Sequence, residues 1–289
     1  MPVARRRLVV CAATVLACVP YLVLKVAWLT GSPVGIRPGA AGVEMRDERY
    51  VVGNLVTVGM ELVAIALLLA LTFPWGRRLP GWLLAVPVWV AAGLLAPIAL
   101  GLPAGLVLQA VAGGAASSTD DGLEGWVYAV VYGGFVLQAV GVLAAFGWHA
   151  RERWPGWWRT RRLPASPATV AALVVVVGFG LLHLAWAVAG AATAAPEGFE
   201  TVAQRTYLAA TGVLVLAAAP AGPAAAAWIG TAVTVLAGPT HLLLAHEGHV
   251  GVVVAVAGAL ASAAGLWLAR TLWRSSSSAP APRVDAWRR

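Results

Sequence analysis

An all-α, polytopic transmembrane helical bundle, eight spans arranged as two parallel four-helix repeats, is the fold class this sequence predicts, and three observations predict it. Sixty per cent of the residues are hydrophobic and 11% are charged, whereas soluble domains keep apolar content near half and charge near a quarter. Apolar stretches of about 20 residues, long enough to cross roughly 30 Å of hydrocarbon, recur eight times along the chain. The pattern YLVLKVAWLTG at 21–31 returns as FGLLHLAWAVAG at 179–190, so that Tyr21, Lys25 and Trp28 align with Phe179, His183 and Trp186 at one constant offset.

The spans are read at about 8–30, 51–73, 82–102, 126–148, 168–191, 203–219, 224–244 and 250–272. The start, MPVARRR, resembles the n-region of a signal peptide, but apolar sequence continues past Cys18 to Leu29, which predicts an uncleaved first span. Cys11 and Cys18 stand seven apart on that span, about 10 Å along a helix, too far for a disulfide, and read as small packing residues. The third span carries Pro87, Pro97 and Pro103, each removing a backbone donor, so a kink is expected; LGLPAGLVLQAV either extends it or forms a re-entrant piece. The sixth is crowded at its ends by Arg205, Pro220 and Pro223.

Internal correspondences divide the chain. Ala96–Pro97 in the third span answers Gly238–Pro239 in the seventh, and EGWV at Glu124 answers EGHV at Glu247. Residues 1–160 are therefore expected to form a first four-helix membrane repeat, 161–274 a second, and 275–289 a flexible basic cytoplasmic tail. An even number of crossings per unit inserts both copies in the same sense, related by an axis along the membrane normal.

Charge sets the orientation. With the N-terminus inside, fifteen of the twenty Lys and Arg residues fall on the inner side, including Arg5, Arg6, Arg7, Arg77, Arg78, Arg151 and Arg153. Nine of the twelve acidic residues, Asp120, Asp121, Glu124, Glu197 and Glu247 among them, fall on the outer side. Positive charge collects in cytoplasmic loops, so a multi-pass plasma-membrane protein with both termini cytoplasmic is expected. Topology thus accounts for the net charge of +8 without a nucleic-acid partner. HARERWPGWWRTRR, with Trp154, Trp157 and Trp158, suits the headgroup region, where it anchors the interface or meets anionic lipid.

The motif LLHLAW, followed a few residues on by glycine, resembles that of small four-span bacterial membrane proteins grouped only as a domain of unknown function. The resemblance covers the fifth span well and the first less well, where Lys25 replaces the histidine. It implies a four-helix unit, here fused to a second, and no activity.

Ionisable side chains inside spans are costly and default to functional candidates. Lys25, Glu61 and His183 lie well inside. Lys25 and Glu61 lean toward one another, because Cβ vectors tilt toward the N-terminus of oppositely directed helices; the competing readings are a Lys–Glu clamp, a functional charge, and snorkelling of the lysine to the interface. His183 reads as an interhelical hydrogen bond or a titratable site, and Asn54, Gln109 and Gln138 as polar glue. HLLLAHEGH offers His241, His246, Glu247 and His249 as zinc ligands, although Val250 stands where HExxH needs its second histidine. The bland alternative is a set of interfacial, pH-responsive histidines. No Walker motif or cofactor fingerprint occurs, so no cofactor is expected beyond that candidate zinc. Three function classes remain open. One is a small-solute or proton-coupled permease; another is a membrane-embedded enzyme doing acid–base chemistry on a lipidic or peptide substrate; the third is an accessory subunit serving another membrane protein.

Overall fold

The computed structural model describes residues 3–37, 48–116, 122–154, 163–190, 194–219, 224–244 and 251–277. Among them are eight α-helices: α1 (Val3–Leu29), α2 (Glu48–Thr72), α3 (Gly81–Ala112), α4 (Gly125–Arg153), α5 (Pro167–Ala189), α6 (Val202–Leu216), α7 (Ala224–Leu244) and α8 (Val252–Ser277). The described residues form no strand, only an isolated bridge between Ile36 and Leu123. The fold is an all-α membrane bundle. Six helices, α1 to α5 and α8, are long and apolar enough to cross a bilayer, while α6 is a shorter apolar helix of 15 residues.

α3 runs unbroken for 32 residues with Pro87, Pro97 and Pro103 inside it. LGLPAGLVLQAV therefore extends the helix and does not re-enter. Other ends are set by local chemistry. Ser166 caps α5 by accepting from the Thr169 backbone N–H, and Gly190, at φ +59°, closes its far end in the left-handed region that glycine tolerates. Thr201 and Gln204 form a capping box at the start of α6.

The two halves have similar neighbour schemes, except that α2 also packs on α4 where α6 does not pack on α8 in the same way. In the first, α1 packs on α2 and α4, α3 on α4 and α2; in the second, α5 packs on α6 and α8, α7 on α8 and α6. α3 then joins the halves by packing on both α6 and α7. Small residues make this seam, as expected where helices meet in lipid without a hydrophobic drive. A Cβ on Gly93 would lie 2.7 Å from Ala232 O of α7, one on Gly105 2.7 Å from Ala203 O of α6, and one on Gly101 2.8 Å from the Tyr207 Cα. The seam is reinforced where Trp89 Nε1 donates to Trp228 O at 3.1 Å and the Ala203 N–H donates to Gln109 Oε1 at 3.1 Å.

The α1–α2 pair keeps a heptad register. Cys11 Sγ reaches Leu68 O, Cys18 meets Glu61, and Lys25 meets Asn54. Each step of seven up α1 is answered by a step of seven down α2. At one end of the bundle, Arg7 and Arg77 both contact the Glu152 carboxylate, and Arg153 Nη2 donates to Leu79 O at 2.6 Å. This basic end gathers loops the charge rule assigns to one side. At the other end the Arg37 N–H donates to Gly122 O and the Glu124 N–H to Gly35 O, each at 2.8 Å.

α6 stops early. Gly212 packs on Gly180 and His183 of α5, so the last residue of α6, about one turn further toward the basic end, is level with the middle of α5. At 1.5 Å per residue that is roughly 15 Å short of where α5 begins. α7 then starts at Ala224.

Candidate functional site

The sequence candidates separate into two clusters, one in each half. In the first half, Lys25 Nζ donates to Asn54 Oδ1 at 2.8 Å and sits over the rings of Tyr21 and Trp28, 5.1 and 5.0 Å from their centroids. The Trp28 indole is pinned by donating to Val34 O at 2.8 Å. A cation between two aromatic faces is well served without an anion. Glu61 lies one heptad deeper, only 4% exposed, and accepts from Gln138 Nε2 of α4 at 2.5 Å. The Cys18 thiol is within hydrogen-bonding reach of the same carboxyl and donates to Thr14 O at 3.2 Å. Lys25 and Glu61 therefore have different partners. Their Cβ vectors lean together as expected, but the heptad register puts Asn54, not Glu61, opposite the lysine.

In the second half, His183 is fully buried and His241 of α7 is 6% exposed. Their Nε2 atoms are 3.2 Å apart, and His183 Nδ1 is 3.0 Å from Phe179 O. A carbonyl only accepts, so His183 Nδ1 carries the hydrogen. With both rings neutral, His183 Nε2 is then an acceptor, His241 Nε2 the donor, and His241 Nδ1 is left with a lone pair. That nitrogen is buried and has no hydrogen-bond partner among the described residues. Aromatic rings enclose the pair: Phe179 and Trp186 lie edge-on to His183 at 4.5 and 5.0 Å, and Phe199 edge-on to His241 at 5.7 Å. Gly212 admits this packing, since a Cβ there would come 3.1 Å from the His183 Cβ.

The repeated sequence pattern thus has a common local form. In α1 and α5 alike the polar side chain touches aromatic rings four residues before and three after it: Tyr21 and Trp28 about Lys25, Phe179 and Trp186 about His183. The partners differ, an amide from α2 in one half and an imidazole from α7 in the other.

Of the zinc candidates, His241 faces His183, while His246, Glu247 and His249 lie outside the described residues, as do Asp120, Asp121, Trp157 and Trp158. Among the described residues no three His, Cys, Asp or Glu side chains group so as to hold a metal ion. Sequence reasoning placed His183 and His241 in separate clusters. The signal joining them was available: both stand shortly before the ends of spans that run in the same direction. It likewise missed Cys18, although Cys11, Cys18 and Lys25 are spaced by sevens, as are Asn54, Glu61 and Leu68.

With the geometry in place, no known protein family matches the chain, and neither a curated protein nor a solved structure matches it; the likeness to small four-span proteins rests on the LLHLAW motif alone.

Proposed function

We propose that this integral membrane protein is a proton-coupled permease for a small solute, and that the His183–His241 pair is its titratable element. The observation that carries the reading is the pair itself: two imidazoles in direct contact inside the bundle, with one ring nitrogen open to accept a proton. Buried polar groups that serve packing alone are normally satisfied, and the Lys25–Asn54 contact fits that description. The His241 Nδ1 atom does not. The short α6 beside the pair agrees with the reading, since interrupted helices mark the binding sites of many carriers. The protein sits in the plasma membrane with both termini cytoplasmic, a placement supported by the joining of Arg7, Arg77 and Glu152 at one end.

The experiment is proton flux in liposomes. Purified protein is reconstituted with a trapped pH dye, a potassium diffusion potential is imposed, and candidate solutes are added outside. The unmodified protein is expected to acidify the lumen with at least one solute. His183→Gln and His241→Gln should keep the fold, judged by gel filtration and thermal melting, and abolish the flux. If both variants melt lower and flux keeps its original pH profile, the pair is packing and the assignment fails.

A further inference from the structure

We propose that Glu61, with Gln138 and Cys18, forms a second proton-binding site in the first half: a neutral carboxylic acid inside the membrane, open to reagents that dissolve in lipid. The position makes a charge hard to keep. Glu61 is 4% exposed in the middle of α2, where an unpaired carboxylate would lack both water and a counter-ion. The nearest cation, Lys25, is turned to Asn54 one heptad away. Near its level on the helices around it the other ionisable groups are Cys18 and Tyr21 on α1 and Tyr132 on α4, none of them cationic; the arginines of α1, α2 and α4 stand near the helix ends, as does His149 of α4, and α3 contains no ionisable residue.

The hydrogen bonds balance for the protonated acid. Gln138 Nε2 donates to Oε1 and the Cys18 S–H donates to Thr14 O, which leaves the Cys18 sulfur, within reach of the carboxyl, as an acceptor for the acid O–H. An ionised carboxylate would take the thiol hydrogen from Thr14 O to gain a second donor. Access comes from the lipid side: Met60, Leu62 and Val63 beside Glu61 are about half exposed on α2, so the carboxyl is one residue from the bilayer-facing surface.

Apolar carbodiimides test this directly. The acid O–H adds across one C=N bond: the carboxyl oxygen bonds the central carbon and the proton goes to nitrogen. Migration of the acyl group from oxygen to nitrogen then leaves a stable acylurea on the side chain. Protein in native membranes is treated at neutral pH with dicyclohexylcarbodiimide, and the adducts are mapped by peptide mass spectrometry. The expected result is one reagent per chain on Glu61, formed at least an order of magnitude faster than on Glu48, Glu124 or Glu152, and absent in Glu61→Gln. Cys18→Ala, which removes the acceptor of the acid proton, is expected to slow the reaction. An unmodified Glu61 in folded protein that reacts only after unfolding overturns the proposal, as does equal labelling of all four carboxyls. Should Glu61→Gln fail to fold, the adduct map of the unmodified protein decides alone. The result is separable from the carrier reading, because a chain that moves no protons in liposomes still reports the state of this carboxyl.

Discussion

Lys25 and Glu61 show how far residue-level reasoning reaches in a membrane. Both stand out as charges in apolar sequence, and both prove to be buried or half-buried within spans. Their partners were harder to read, because lean and depth constrain a contact only to within about a turn, whereas the register is fixed by packing along the whole α1–α2 seam. That register makes a prediction. In thermal melts of detergent-purified protein, Asn54→Leu should cost about 1.5–3 kcal/mol, the scale for a hydrogen bond to a charged group, and much less when Lys25→Met is already present. Lys25→Met and Glu61→Gln should instead add to within about 0.5 kcal/mol, as independent sites do. A strong coupling between Lys25 and Glu61 would show that the lysine turns to the carboxyl in solution.

At the scale of the element, hydropathy and proline placement make the helices legible, and each predicted span has its helix within a few residues, α3 apart, which runs on ten residues past its predicted end. Cap chemistry is local, so the ends of α5 and α6 follow from Ser166, Gly190, Thr201 and Gln204. What sequence does not reveal is which glycines are contact points, because a glycine facing lipid and one facing a neighbour's backbone look alike. Gly59 and Gly105 test the distinction. A Cβ at Gly59 meets nothing within 4 Å, whereas one at Gly105 falls on the Ala203 backbone. Gly59→Ala should leave the melting temperature unchanged or raise stability by up to about 1 kcal/mol, the helix-propensity gain. Gly105→Leu should cost on the order of 1–3 kcal/mol through overpacking and loosen α6 from α3, seen as earlier proteolysis between α5 and α7. Equal effects of the two would mean that α6 is not held by this seam.

For the molecule as a whole, α1–α4 and α5–α8 have similar but not identical neighbour schemes, since α2 packs on α4 where α6 does not pack on α8 in the same way. The join between them is lopsided, since α3 reaches both α6 and α7, and nothing in the repeated motifs foretells which helices meet across it. Orientation is tested by reporter fusions: those after Arg162 and Arg274 should read cytoplasmic, and those near Asp121 and Glu197 extracytoplasmic. A cytoplasmic signal at Asp121 would require α3 and α4 to be reoriented.

The early end of α6 has a consequence for the backbone. A helix that finishes level with the middle of its neighbour must close its last carbonyls at a depth where lipid offers no donor, and α6 does so with its own chain: the Ala217, Ala218 and Ala219 N–H groups donate to Val213 O, Val215 O and Leu216 O. The turn at Ala217–Ala219 thus lets the chain leave its helix at that depth without turning those three carbonyls to lipid.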